Sequence, residues 1–195
     1  MKPVHRIATV LLLASLCGCA KTPLENIPLV WKPTSQANFG AVNLTEIGNT
    51  KVQVSKFRDL RKPPELIAEN REQATPKPVT TRDDVGEFVA RHMSQILGTA
   101  GLDMVDGNGD VVVSGEVRQF FVEETSTYNG NVVLHVTVRD RAGKVLWNGA
   151  ASGSARHFGR SYSPENYYET LSDSLVDATA KLLRDPDFRR ALVRR

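Results

Sequence analysis

Cysteine is almost absent from this chain: two in 195 residues, Cys17 and Cys19, both within the first twenty. That excludes a disulfide-built scaffold and a multi-cysteine zinc site. No apolar run approaches the roughly 20 residues that a membrane-spanning helix needs. The formal charge is only +3, with 25 basic and 22 acidic side chains. Such a mixed, near-neutral balance gives no electrostatic footprint for nucleic acid. A phosphate-binding Gly-x-x-x-x-Gly-Lys loop is missing, as is a Gly-x-Ser-x-Gly nucleophile elbow. Internal repeats and low-complexity tracts are absent too. No cofactor and no metal are expected.

What is present begins with Lys2, His5 and Arg6, followed by an apolar run from Ile7 to Leu16 broken by Thr9 and Ser15. This order of charge, short apolar stretch and small residues is that of an export signal. Leu16-Cys17-Gly18-Cys19 resembles the lipobox of bacterial lipoproteins, with Cys19 at the modified position. Cys17 does not fit, because Leu16 stands where a small residue is required. The resemblance implies a diacylglyceryl thioether on Cys19, cleavage after Gly18 and acylation of the new amino terminus. Several acyl chains hold a protein on a bilayer, whereas one binds only marginally. Ala20 and Lys21 follow, not aspartate, which in the enterobacterial sorting pattern implies the outer membrane. The expected organisation is a signal peptide over 1–18, a lipidated N-terminus with an extended tether over 19–40, and one α+β domain facing the periplasm over 41–195. Loss of the two leader cations, Lys2 and Arg6, leaves a mature charge of +1.

Along the mature chain, residues 20–40 carry three prolines and no helical period; Leu29 to Lys32 could pair as a short strand. Ala41 to Phe57 reads as two short strands around Ile47-Gly48-Asn49-Thr50-Lys51, with Val52 and Val54 alternating against polar neighbours. Residues 57–81 read as a long, charged, proline-bearing loop and the best candidate for a partner-facing surface. Asp83 to Ala100 is a helix whose apolar stripe is Val85, Phe88, Val89, Ile96 and Leu97, with His92 on its border. Thr81 and Asp84 have capping-box spacing, and Gly98 and Gly101 end the helix.

Strands follow at Asp110–Val122, at Val132–Asp140 and from Lys144 onward. Asn129-Gly130 is a hairpin signal, and Asp140-Arg141-Ala142-Gly143 is the second joint. Val132, Leu134, Val136 and Val138 share one face, which Val145 and Trp147 should continue. Gly149, Ala151, Gly153 and Ala155 leave room for a helix packed close. Ser163-Pro164-Glu165 opens that helix, with Tyr168, Leu171, Leu175, Ala178 and Leu182 buried. Asp185-Pro186 starts a final short helix carrying Phe188, Ala191 and Leu192. Arg189, Arg190, Arg194 and Arg195 suit a solvated helix C-terminus better than a headgroup patch. The fold class is therefore α+β: a two-layer domain, an antiparallel or mixed sheet with a three-strand meander, packed against two long helices.

The order of these pieces resembles the YajG-type lipoprotein family. "VQVSKFRDLR" is similar to its first strand and Asp-Arg turn, and "ENREQATPKPVTTRDDVGEFVARHMSQIL" to its long loop and first helix. "DVVVSGEVRQFFVEETSTYNGNVVLHVTVRDRAGKVLWNGAASGSA" is similar to its meander and "DPDFRRAL" to its tail. The layout also resembles the periplasmic domains of curli-pore, penicillin-binding-protein-activator and transport-auxiliary lipoproteins. The resemblance implies an envelope lipoprotein without defined catalytic residues.

Three functions compete. A non-enzymatic envelope lipoprotein binding a protein or glycan partner ranks first. A component of a secretion or transport assembly is the alternative. A hydrolase would draw on Ser152 or Ser154, His135 or His157, and Asp140, but triads are recognised by geometry and not by order. Gly107-Asn108-Gly109-Asp110 resembles a calcium-loop fragment, yet it lacks the further ligands and reads as a turn.

Overall fold

The computed structural model describes residues 23–193. Cys17, Cys19, the proposed cleavage point, Arg194 and Arg195 lie outside the described residues. Three strands of equal length form the backbone of the fold: β6 (Val111–Glu124), β7 (Thr127–Asp140) and β8 (Val145–Phe158), joined as an antiparallel meander. Alternation decides their facing. Val132, Leu134, Val136 and Val138 are fully buried, while Val133, His135 and Thr137 are half-buried and Arg139 is exposed on the opposite face. On its other side β6 takes three parallel partners in succession: β1 (Lys51–Val54), β2 (Arg58–Asp59) and β3 (Leu66–Asn70). β4 (Lys77–Thr80) pairs antiparallel with β3, and β5 (Asp103–Met104) lies parallel to β1. Among the described residues the result is a mixed eight-stranded sheet.

Helices α1 (Val85–Thr99) and α2 (Pro164–Arg184) cover one face, and α3 (Pro186–Leu192) follows α2 directly. The expected two-layer α+β arrangement is the one found. All five stripe residues assigned to α2 are buried. Small residues on β7 and β8 let α2 approach closely. A Cβ on Gly153 would stand 2.2 Å from Ser174 O and from Ala178 N, and one on Gly130 would stand 2.4 Å from Ser174 Oγ. Trp147 meets Phe188 of α3 edge-on, ring centroids 5.3 Å apart. Arg189 donates to the Leu183 and Arg184 carbonyls and so caps the C-terminus of α2, an ordinary use of a cation at that end.

Several expectations need correction. Residues 57–81 are not a loop, for β2, β3 and β4 all fall there. Arg61, 9 % exposed, holds this stretch together: it pairs with Asp59 and donates to the Leu66, Pro64 and Phe120 carbonyls. Residues 41–50 contain a turn and no strand, so only the second of the two expected strands exists. Asn129-Gly130 is not the hairpin turn; it lies inside β7, and the chain reverses at Thr125 and Ser126. Gly130 is needed for the approach of α2. β6 bulges between Val117 and Gln119, and Gly115 sits against the His135 carbonyl and Phe57. A register shift at Val138/Arg139 turns Val145 to solvent, away from the apolar face. α1 is capped by Asp84 alone, whose carboxylate accepts from Glu87 N at 2.9 Å, while Thr81 accepts from Asp83 N.

Gly153→Ala should cost about 1–3 kcal/mol, because the contact atoms are helix backbone that must shift. Ser152→Ala, one residue away on the exposed face, should stay within about 0.5 kcal/mol. Urea unfolding of both variants checks the packing of α2; equal stabilities would contradict it.

Candidate functional site: the seat of the N-terminal segment

The segment expected to be a free tether is docked along the domain from Leu24 onward. Leu24 forms a parallel bridge with Val79 beside β4, and its N–H donates to the Tyr162 hydroxyl at 3.1 Å. Ile27 N donates to Thr80 O at 2.9 Å, and Leu29 N to Asp83 Oδ2 at 2.7 Å. No strand forms over Leu29 to Lys32; those residues are held by side chains of the helices instead. The Trp31 indole stacks on His92 at 4.2 Å between centroids and 6° between planes, and it meets Phe88 edge-on. Burial holds the His92 imidazole below its ordinary pKa against the opposing hydrogen bond from Nδ1 to Gln95 Oε1, so it stacks as a neutral ring at pH 7. His92 is thus a satisfied boundary residue, as its border position suggests.

Asp173 of α2 is the polar centre of the seat. Thr34 N and Ser35 N donate to Oδ1 at 2.8 and 3.0 Å, and Thr34 Oγ1 donates to Oδ2 at 2.5 Å. His157 Nε2, on β8, lies 2.9 Å from the same Oδ2. Asp173 is 4 % exposed. Burial opposes its ionisation, but the hydrogen bonds from Thr34 and Ser35 outweigh that and hold its carboxyl below the usual range. Nearby, Lys32 pairs with Glu169 at 2.8 Å and its N–H donates to Ser172 Oγ. An open polar cleft of about 420 Å³ runs beside this point between the segment, β8 and α2, with Ser154, His157, Asp177 and Arg184 in its walls.

At the sheet end where the segment enters, Glu124 is fully buried. It accepts from Tyr162 N at 3.1 Å and from the Tyr167 hydroxyl. Burial and the neighbouring Glu124 carboxylate push the Tyr167 phenol strongly upward, so Tyr167 stays a proton donor. Tyr162 has φ 46°, a conformation rare for a bulky residue. Its N–H bond to Glu124 and its hydroxyl bond to Pro78 O hold it there. This network positions the hydroxyl that receives Leu24.

Of the residues weighed for hydrolysis, Ser154 and His157 share the walls of the cleft beside α2, but among the described residues no hydrogen bond joins them. His135, Ser152 and Ser154 lie on the outer face of the sheet, but among the described residues no hydrogen bond links His135 to either serine. His157 faces the helices and is engaged with Asp173. Asp140 sits at the far hairpin, accepting from Lys144 N at 2.9 Å. Asp110 of the 107–110 turn accepts from Lys51 N and pairs with Arg141, which is the role of a turn. Among the described residues no group of three or more His, Cys, Asp or Glu side chains could hold a metal. Sequence reasoning missed Asp173, Glu124 and Arg61. Asp173 lies on the face of α2 opposite its apolar stripe and is covered by Thr34 and Ser35, so helical periodicity gave no signal for it.

No protein-family model matches the chain, and no curated protein matches it. Solved structures do. A Xanthomonas campestris protein of the DUF330 family aligns with a TM-score of 0.52 at 11 % identity, over 86 % of this chain and 92 % of that one. A single-residue variant of PelC from Paraburkholderia phytofirmans, solved as a dodecamer, aligns at 0.46 and 18 % identity, over 75 % and 90 %. A candidate lipoprotein of Caulobacter crescentus aligns at 0.46 and 10 % identity, over 64 % and 89 %. The first is a likeness of fold; the other two, below one half, add nothing to it.

Asp173→Ala should open the chain around Thr34 and Ser35 to proteolysis and cost about 1–3 kcal/mol, since both residues lose their acceptor. A carboxyl whose folded pKa is lowered stabilises fully above the unfolded value, about 3.9 for Asp, and its contribution is lost as pH falls through the folded value. The gap between wild type and variant should therefore be level from pH 6 to 8 and close in acid below about pH 4. A gap that acid leaves unchanged would contradict this assignment.

Proposed function

We propose that this chain is a bacterial envelope lipoprotein, lipidated on Cys19 and held at the outer membrane with its domain toward the periplasm. Its work is binding or accessory, not catalytic. Its partner is an envelope protein or a glycan, and it uses no cofactor and no nucleic acid. One observation carries the reading: Leu16-Cys17-Gly18-Cys19 closes a short apolar run behind a positive start, and the chain docks onto the domain only five residues further on, at Leu24. No helix of the described residues is long and apolar enough to cross a membrane, so attachment in this reading falls to the lipid. The non-catalytic part is supported by the pairing of His157 with Asp173 and by the place of Asp140 at the far hairpin, where it accepts from Lys144 N.

A second reading, a subunit of a secretion or transport assembly, is favoured by β8. This strand has 14 residues and, among the described residues, pairs only with β7, leaving an edge for strand addition except at Ser154, whose N–H donates to Asp177.

Native mass spectrometry of protein extracted from separated inner and outer membranes tests both readings. The expected result is a chain beginning at a triacylated Cys19, in the outer-membrane fraction. An intact Met1 or a bare Cys19 thiol would overturn the lipoprotein reading. A closed ring of copies would favour the assembly, and a monomer the accessory role.

A further inference from the structure

Residue Leu24 bridges Val79 in the parallel sense, so the chain preceding it comes from the side of Lys77, the first residue of β4. That is the end of the sheet where β3 turns into β4. The same end gathers the β6–β7 turn at Thr125 and Ser126 and the exit of β8, because Thr127 pairs with Phe158 and Glu124 with Asn70. Arg160 reaches Glu72 across it at 3.4 Å. Lys77 lies over the Tyr162 ring at 5.8 Å.

Only five residue steps separate Cys19 from Leu24, at most about 18 Å of extended chain. The strands of the meander are about 45 Å long. A lipid on Cys19 can therefore bring this end to a bilayer, while the Asp140–Lys144 hairpin stays far from it. Phe158 stands at this end and is 88 % exposed, against 40 % for Val30 and 45 % for Val145, the other exposed large hydrophobics among the described residues. Arg156 shares its outward face two residues before, and Arg160 follows two residues after. An aromatic ring flanked by arginines suits the headgroup layer, where the ring meets acyl chains and the guanidinium groups stay with phosphates.

We propose that the Phe158 end of the sheet rests in the headgroup layer of the membrane that holds the Cys19 lipid, with Phe158 as the inserted side chain. This rests on the lipoprotein reading. It adds a second contact to the lipid and fixes the orientation of the domain, with the Asp140–Lys144 hairpin pointing away from the bilayer.

The test places a nitroxide on the lipidated full protein through Ser126→Cys, beside Phe158, or through Arg141→Cys at the opposite hairpin. With Cys19 consumed by lipid, each introduced thiol is the sole free one. In vesicles of phosphatidylethanolamine and phosphatidylglycerol, collisions with a water-soluble nickel chelate should be several-fold fewer at position 126 than at 141. Adding Phe158→Ser should bring 126 close to 141 without unfolding the protein, because the side chain is exposed. Equal collision rates at the two positions on a protein shown by mass to carry the lipid would overturn this proposal alone. A bare Cys19 would remove the lipoprotein reading and this one together. Position 126 shielded in whole envelopes but not in vesicles would point to a protein partner and also overturn it.

Discussion

One buried carboxylate decides what kind of molecule this is. Asp173 takes hydrogen bonds from Thr34 and Ser35 of the N-terminal segment and stands 2.9 Å from His157 Nε2 of β8. It thereby joins three parts of the chain that share no secondary structure. With that joint made, the segment runs along the helical layer and its aromatic ring finds His92 and Phe88. Without it, Thr34 and Ser35 lose their acceptor, while Leu24, Ile27 and Leu29 keep theirs. With it, the segment is held against the domain over its described length from Leu24 to Ser35.

The seat for that segment exists because α2 lies so close to the sheet. Gly130 and Gly153 are positions where any larger side chain would meet the helix backbone or its short side chains. The close approach brings Asp173 within reach of His157, and it brings Tyr167 to the buried Glu124. Glu124 in turn holds Tyr162 in its unusual backbone conformation, and Tyr162 receives the start of the segment. The two ends of the docked segment are therefore served by one helix through two separate carboxylates, one on the helix and one beneath it. Such buried carboxylates are tolerated because every facing group is a donor.

Much of this fold was legible in the residues. The two long helices carry a 3.6-residue apolar stripe, and β7 alternates apolar and polar side chains from Leu134 to Arg139, so their facing followed from periodicity alone. The stretch 57–81 was not legible. Its strands are two to five residues long, too short for alternation to register, and they are held by Arg61 reaching distant carbonyls, which no local pattern reports. Asn129-Gly130 misled because Gly can serve a close approach as readily as a turn. The seat was hidden for a related reason. Residues 23–35 have no period of their own and take their conformation from donors and acceptors about fifty to one hundred and forty positions away. Cys19, by contrast, was read from a local motif and lies outside the described residues.

The docked state of the N-terminal segment is the claim on which the rest turns. Amide hydrogen exchange on the full-length protein reads it directly. The amides of Ile27, Leu29, Lys32, Thr34 and Ser35 should exchange as slowly as those of the first turn of α1, because each donates to an ordered acceptor. Exchange of these five amides at the rate of an unstructured peptide, with α1 still protected, would contradict the account.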